Sequence, residues 1–303
     1  SIMLALIPAV LWGAMGIVNG WAGGRVANQI LGGALGSLVF SIVVGVYAYV
    51  EAPTTSVVFS MAGLTYVLSG IAWAAGTSFQ LAAFKKMGVS QASGLNTAGQ
   101  IAVNALVGAA VFGEWTGAHQ WTIGLLAIAS VIIGVFLISG KPSNLNKDGV
   151  RLTAISVFAY MIYFMIPKTV AILDLVHVNT RTLHNTMALS LPIAIGQTIG
   201  ALVFGIIIFN GGNLSLPLLT KETAKNGIAG VMWGTGEVMI RLALLNPAVG
   251  QAKASTLSQM GIIVSTMGAI IILKERKTKR QIIGIGIGAI FVMLGGILVT
   301  MAG

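Results

Sequence analysis

The chain contains no cysteine, which removes disulfides, haem-thiolate ligation and cysteine-bound zinc from consideration. Three histidines leave little for a histidine-rich metal site. Charge is equally scarce: Asp, Glu, Lys and Arg make up 8% of 303 residues, where a soluble domain carries about 25%. A soluble globule cannot cover its surface with so few charges, so most of that surface must meet lipid. What replaces charge is apolar, at 56% of residues, together with 40 glycines. Glycine in that number suits helices whose backbones approach closely inside a bilayer.

A spanning helix needs roughly 20 apolar residues. Ten stretches qualify: 2–21, 31–50, 57–84, 89–112, 120–139, 151–171, 183–209, 225–245, 247–273 and 280–301. The separators are Gly23-Gly24-Arg25, Glu51-Ala52-Pro53, Lys85 to Gly88, Gly113-Glu114-Trp115, Lys141 to Arg151 and Lys274 to Arg280. The longest polar connection, Gly140 to Gly149, is too short for a soluble domain, so no ATP-binding module is encoded here. The net charge of +10 does not point to nucleic acid, because 13 of the 17 cations fall in loops on one side of a ten-span chain. Short loops rich in Lys and Arg stay in the cytoplasm. The expected placement is a cell membrane, with the basic loops cytoplasmic and both termini outside.

The text repeats at an offset of 160 residues: Gly70, Trp73 and Gly76 return as Gly230, Trp233 and Gly236, and Val89, Gln91 and Ala92 as Val249, Gln251 and Ala252. Five spans per copy force the second copy to insert upside down. The expected fold is therefore an all-α integral membrane protein of ten transmembrane helices in two inverted five-helix repeats, residues 1–140 and 151–303, joined by a cytoplasmic linker at 141–150. Inverted repeats place a binding site at mid-membrane and permit alternating access, the two halves rocking about it.

Ionisable residues within spans mark functional sites by default. Trp233, Glu237 and Arg241 stand at i, i+4 and i+8 and share one helix face. Glu237, the only carboxylate well inside a span, is either a proton carrier or half of a permanent pair with Arg241. Lys253 either snorkels to the interface or joins that pair, and the resulting surplus positive charge would suit an anionic solute. Asn96, Gln100 and Asn104 form a second i, i+4, i+8 stripe, and Ser258 and Gln259 lie on a later span with Gln251 and Ser255. Amides and hydroxyls both donate and accept, as a polyol requires. Trp12, Trp73 and Trp233 offer faces for a pyranose ring or for core packing. Tyr160, Tyr163 and Lys168, and His184, Asn185 and Gln197, are weaker candidates. Gly284, Gly286 and Gly288 lie inside a span with no preceding strand, so they read as a helix contact and not as a nucleotide loop. No acid, base and nucleophile cluster, so an enzyme is not expected.

Seven motifs carry a resemblance: IPAVLWG at Ile7–Gly13, NQILGGALG at Asn28–Gly36, SGIAWAAG at Ser69–Gly76, FGEW at Phe112–Trp115, GVMWGTG at Gly230–Gly236, LSQMGIIVSTMG at Leu257–Gly268 and KERKTKRQIIG at Lys274–Gly284. In their order and spacing the chain resembles the glucose/ribose porter family of the drug/metabolite transporter superfamily, and looks most like its bacterial glucose uptake proteins. The resemblance implies sugar uptake, most of all of glucose, by proton symport. It places the central cavity among the third, eighth and ninth spans, where Gln80 also lies. The chain departs from the pattern at Glu237, where those proteins tend to carry a neutral amide, and at Arg241 and Lys253, where they carry no cation. A carrier for another solute, anionic or exported, is the rival expectation. The expected partners are a sugar and the lipid bilayer, with no nucleic acid and no obligate protein partner. The expected driving force is a proton gradient, with no bound cofactor or metal.

Overall fold

The computed structural model describes residues 2–113, 115–139, 146–172, 179–180, 182–213, 218–245, 254, 257–258 and 260–302. Among them there is no β-strand. The helices are α1 (Ile2–Ala22), α2 (Val26–Glu51), the single turn α3 (Thr55–Val58), α4 (Met61–Met87), α5 (Val89–Phe112), α6 (Ala118–Ser139) and α7 (Lys147–Ile172). They continue with α8 (Leu183–Ala188), α9 (Ser190–Gly200), the π-helix π1 (Ala201–Ile208), α10 (Lys221–Leu244), α11 (Gly261–Ile271) and α12 (Lys279–Ala302).

Six stretches among the described residues are long and apolar enough to cross a membrane: Val26–Glu51, Met61–Met87, Ala118–Ile138, Lys147–Ile166, Leu183–Ile208 and Lys279–Leu298. The chain is therefore a multi-pass, all-helical membrane protein. α5 and α10, at 24 residues each, are as long but more polar. Both turn polar residues inward, so lipid does not demand full hydrophobicity of them.

Several boundaries differ from the sequence expectation, for local reasons. α2 begins at Val26 because Gly23 and Gly24, at φ 68° and 90°, complete the reversal within two residues. α4 runs on through Lys85 and Lys86, whose charges complement the negative end of the helix dipole. The expected span 183–209 is broken at Leu189. Pro192 lacks an N–H and is tolerated in the first turn of the restarted helix.

The helices pack in a recurring set of pairs. α2 lies on α10 and α4 on α9; α1 lies on α10 and α4 on α7; α1 lies on α11 and α5 on α7. α6 with α12, α5 with α11, and α2 with α9 complete the set. The tightest seams are lined with glycine. A Cβ at Gly230 would stand 1.9 Å from the Gly33 carbonyl oxygen, and one at Gly70 would stand 2.1 Å from that of Ile193. At Gly36 it would meet the Gly227 oxygen at 2.0 Å, and at Gly196 that of Val67, also at 2.0 Å. Lipid tails are as apolar as Leu, so such close van der Waals contact, not hydrophobic burial, holds the helices together. At the middle of the molecule Trp73 of α4 meets Trp233 of α10, ring centroids 4.7 Å apart, within a core that includes Ile30, Ala34, Tyr160, Tyr163 and Ile193.

Candidate functional site

A cavity with about 780 Å³ of space, its open mouth included, lies among α1, α4, α5, α7, α10 and α11. Its wall is part aromatic and part hydroxyl and amide. Trp12, Trp73 and Trp233 form one side with Tyr160 and Tyr163. Asn19, Thr77, Gln80, Ser93, Thr97, Gln100, Ser258 and Ser265 supply polar groups. None of these lining side chains carries a charge.

The wall is stiffened by hydrogen bonds behind it. Thr77 Oγ1 and Tyr160 Oη lie 2.8 Å apart, and Tyr160 Oη donates to Gln80 Oε1 at 2.9 Å. Gln100 Nε2 donates to Asn96 Oδ1. Asn96 Nδ2 in turn donates to Ser156 Oγ at 2.7 Å, and Ser156 donates to the Gly76 carbonyl at 2.7 Å. Trp12 Nε1 reaches the Trp233 carbonyl at 3.3 Å, fixing one aromatic against the backbone of the other. A sugar hydroxyl entering this wall meets groups already oriented, which lowers the ordering cost of binding.

The charged stripe of α10 lies outside the cavity. Glu237 Oε1 accepts from Arg241 Nε at 2.8 Å, and Glu237 Oε2 accepts from Tyr163 Oη. The Arg241 guanidinium stacks 4.8 Å from the centroid of the Tyr66 ring, while its Nη1 and Nη2 are buried without a hydrogen-bond partner. The side chains of Arg241 and Glu237 are only 10% and 6% exposed. Tyr163 alone touches both sides, lining the cavity and donating to the ion pair behind it. Its own carbonyl accepts from Ser69 Oγ at 2.6 Å.

The structure thus brings together Trp12, Trp73, Trp233, Gln80, Gln100 and Ser258. It sets Asn96 one layer back as a support and Glu237 and Arg241 behind Tyr163. Asn104 is half-buried, its two amide atoms covered and unbonded, and it is not among the residues of the cavity wall. Lys253, Gln259, Gln251, Ser255 and Glu114 lie outside the described residues, as does the side chain of Lys168. Of the residues found lining the cavity, Thr77, Thr97, Asn19 and Ser93 drew no attention in the sequence. Tyr163 was only a weaker candidate, since nothing local in the sequence marks it as the partner of a buried carboxylate. Among the described residues no three His, Cys, Asp or Glu side chains gather.

Comparison with known proteins gives this wall its context. Residues 3–302 match the family described as sugar transport protein. The chain belongs to that family. It is 33% identical to the glucose uptake protein GlcU of Bacillus subtilis (strain 168) over 313 residues, covering 100% of this chain and 98% of the relative. It is 34% identical to the "Probable glucose uptake protein GlcU" of Priestia megaterium over 315 residues, covering 100% of this chain and 99% of the relative. One solved crystal structure shares the fold, with a TM-score of 0.62 at 13% identity over 99% of this chain and 96% of that one. The expected likeness to glucose uptake proteins is therefore met along the whole chain.

Proposed function

We propose that this protein carries a neutral sugar, glucose foremost, into the bacterial cell by alternating access, with protons moving in symport. The observation that carries the reading is the cavity wall: tryptophan faces beside amides and hydroxyls, with no charged side chain among the described residues that line it. A pyranose offers apolar faces for the former and hydroxyls for the latter. Relatives of matching length are named glucose uptake proteins, which supports glucose as the first substrate to try. An anionic solute fits poorly, because Arg241 is turned away from the cavity and already paired.

The ten-helix inverted repeat is supported by contacts that recur at the offset of 160. Gly70 packs on the Ile193 carbonyl as Gly230 packs on that of Gly33. Gly196 packs on the Val67 carbonyl as Gly36 packs on that of Gly227. Gly76 lies under the ring of Tyr160 as Gly236 lies under that of Trp12; the glycines keep the offset of 160, while the two rings, on α7 and α1, are 160 − 12 = 148 residues apart. The packing pairs α2–α10 and α9–α4 exchange under the same relation, and α1–α10 and α7–α4 exchange when α1 is matched to α7 at the shorter offset. Alternating access is supported by an asymmetry within that pattern. Trp73, Thr77, Gln80 and Phe84 of α4 all line the cavity, yet of Trp233, Glu237 and Ile240, the α10 equivalents of the first three, only Trp233 does. The cavity therefore extends along α4 toward Lys85 and the basic loops, which the charge bias puts in the cytoplasm with both termini outside. The family and the uptake names of its relatives support a carrier. Glu237 is the residue we assign to proton coupling.

The test is radiolabelled uptake by purified protein in proteoliposomes, with and without an imposed proton gradient, across glucose, ribose, other hexoses and sugar acids. Concentrative glucose uptake that collapses with the gradient supports the reading. Glucose flux without proton movement removes the symport, and uptake of sugar acids alone removes the neutral-sugar reading.

A further inference from the structure

The two ends of this molecule carry unlike chemistry. The offset of 160 pairs Glu237 with Thr77, Arg241 with Leu81, and Asn226 with Tyr66. The match of Tyr160 to Trp12 under equivalent glycines pairs Tyr163 with Met15. At the end away from the basic loops, therefore, two tyrosines, a carboxylate and a guanidinium come together. Their four counterparts at the basic end are threonine, leucine, asparagine and methionine. Two of those counterparts, Thr77 and Met15, face the cavity, whereas Glu237 and Arg241 are shut away from it.

Helical register places this cluster beyond the cavity. Tyr66 lies seven residues past Trp73 on α4, about 10 Å farther from Lys85 at 1.5 Å per residue. It draws on three helices, since Tyr163 comes from α7, Glu237 and Arg241 from α10, and Tyr66 from α4. We infer that Tyr163, Glu237, Arg241 and Tyr66 form a one-sided gate at the end away from the basic loops. It is shut in this structure and opens to line the cavity when access changes sides. The inference rests on the alternating-access reading above, but not on the identity of the sugar or of any coupling ion.

The gate's chemistry suits a device that must open. Glu237 and Arg241 share one helix and travel together, so only the Tyr163 bond and the Tyr66 stack must break. The two guanidinium nitrogens that lack a partner when buried gain water on opening, which offsets that loss. Tyr163 is then a positioning residue: its ring faces the cavity and its hydroxyl holds the gate, so a sugar against the ring and the state of the gate are linked.

The absence of cysteine makes the test direct, since a single introduced thiol has no background. Ile240→Cys is placed behind the gate and Phe84→Cys at the basic end of the cavity. Each is combined with Tyr163→Phe and, separately, with Arg241→Lys. Vesicles of known orientation are treated with a membrane-impermeant thiol reagent on one face at a time, and glucose uptake is measured in the same vesicles. With the gate intact, Phe84→Cys reacts from the basic-loop face and Ile240→Cys reacts slowly from the opposite one. Tyr163→Phe removes a hydrogen bond to a charged group and should raise Ile240→Cys labelling from the opposite face about tenfold or more. Labelling of Phe84→Cys should fall. Arg241→Lys should act in the same direction. Unchanged Ile240→Cys labelling in both variants overturns the gate. Faster labelling in vesicles that carry no glucose upholds the gate and refutes only the sugar reading.

Discussion

Removing Arg241 should cost far more than removing Arg241 and Glu237 together. Arg241→Met leaves a carboxylate that is 6% exposed with the Tyr163 hydroxyl as its remaining donor. Breaking a buried pair from one side costs about 3–5 kcal/mol, because the surviving charge has neither water nor partner. Replacing both members of such a pair by neutral residues is often neutral or stabilising by about 1–4 kcal/mol. Here the balance tilts further toward the double variant. Arg241 Nη1 and Nη2 are already buried and unbonded, and each such group costs about 1–3 kcal/mol in the wild type. Glu237→Gln alone keeps a group that can accept from Tyr163, but it strips Arg241 of its counter-charge. The Glu237→Gln/Arg241→Met variant should therefore lie within about 1 kcal/mol of wild type or above it, with a coupling energy of roughly 3 kcal/mol or more. The assay is reversible unfolding in mixed micelles, followed by tryptophan fluorescence, for the four members of the cycle. Two mild single variants whose effects simply add would refute the reasoning, since they would mean that the pair is solvated and holds nothing.

Two further outcomes follow from the wall and the seams. Gly230→Ala forces a methyl to within 1.9 Å of the Gly33 oxygen and should destabilise by about 1–3 kcal/mol or more in the same unfolding assay, whereas Gly33→Ala, with nothing within 4 Å, should be nearly silent. Ser156→Ala leaves Asn96 Nδ2 without its acceptor one layer behind Gln100; the KM for glucose should rise by a few fold to tenfold, with kcat less affected, in a proteoliposome uptake series.

The all-helical membrane class and the family were legible in the sequence because they rest on coarse, redundant signals. Apolar length, basic separators and the Gly70/Gly230 and Trp73/Trp233 matches each survive a local misjudgement. The cavity wall was legible in part. A stripe at i, i+4 and i+8 fixes which residues share a face, but not where that face stops lining a cavity and starts meeting another helix. Asn96, Gln100 and Asn104 illustrate the limit: α7 supplies Ser156 behind Asn96, so only Gln100 reaches the cavity. The same holds on α10, where Trp233 lines the cavity and Glu237, one turn on, is covered by a tyrosine distant in sequence. Glu237 and Arg241 announced themselves as costly charges, and their spacing allowed the pair. Tyr163 and Tyr66 did not, because nothing local distinguishes a tyrosine that holds a buried ion pair from one that fills space.

The glycine seams have a mechanical consequence. Where Gly230 lies on Gly33 and Gly70 on Ile193, backbone touches backbone and no side chain stands between them to change rotamer. Such a joint has no slack, so α2 with α10 forms one beam and α4 with α9 forms another. Each beam takes one helix from before α7 and one from after it. The tightest joints therefore tie the two parts of the chain to each other rather than each part to itself, and the Trp73–Trp233 contact stands between the two mixed beams.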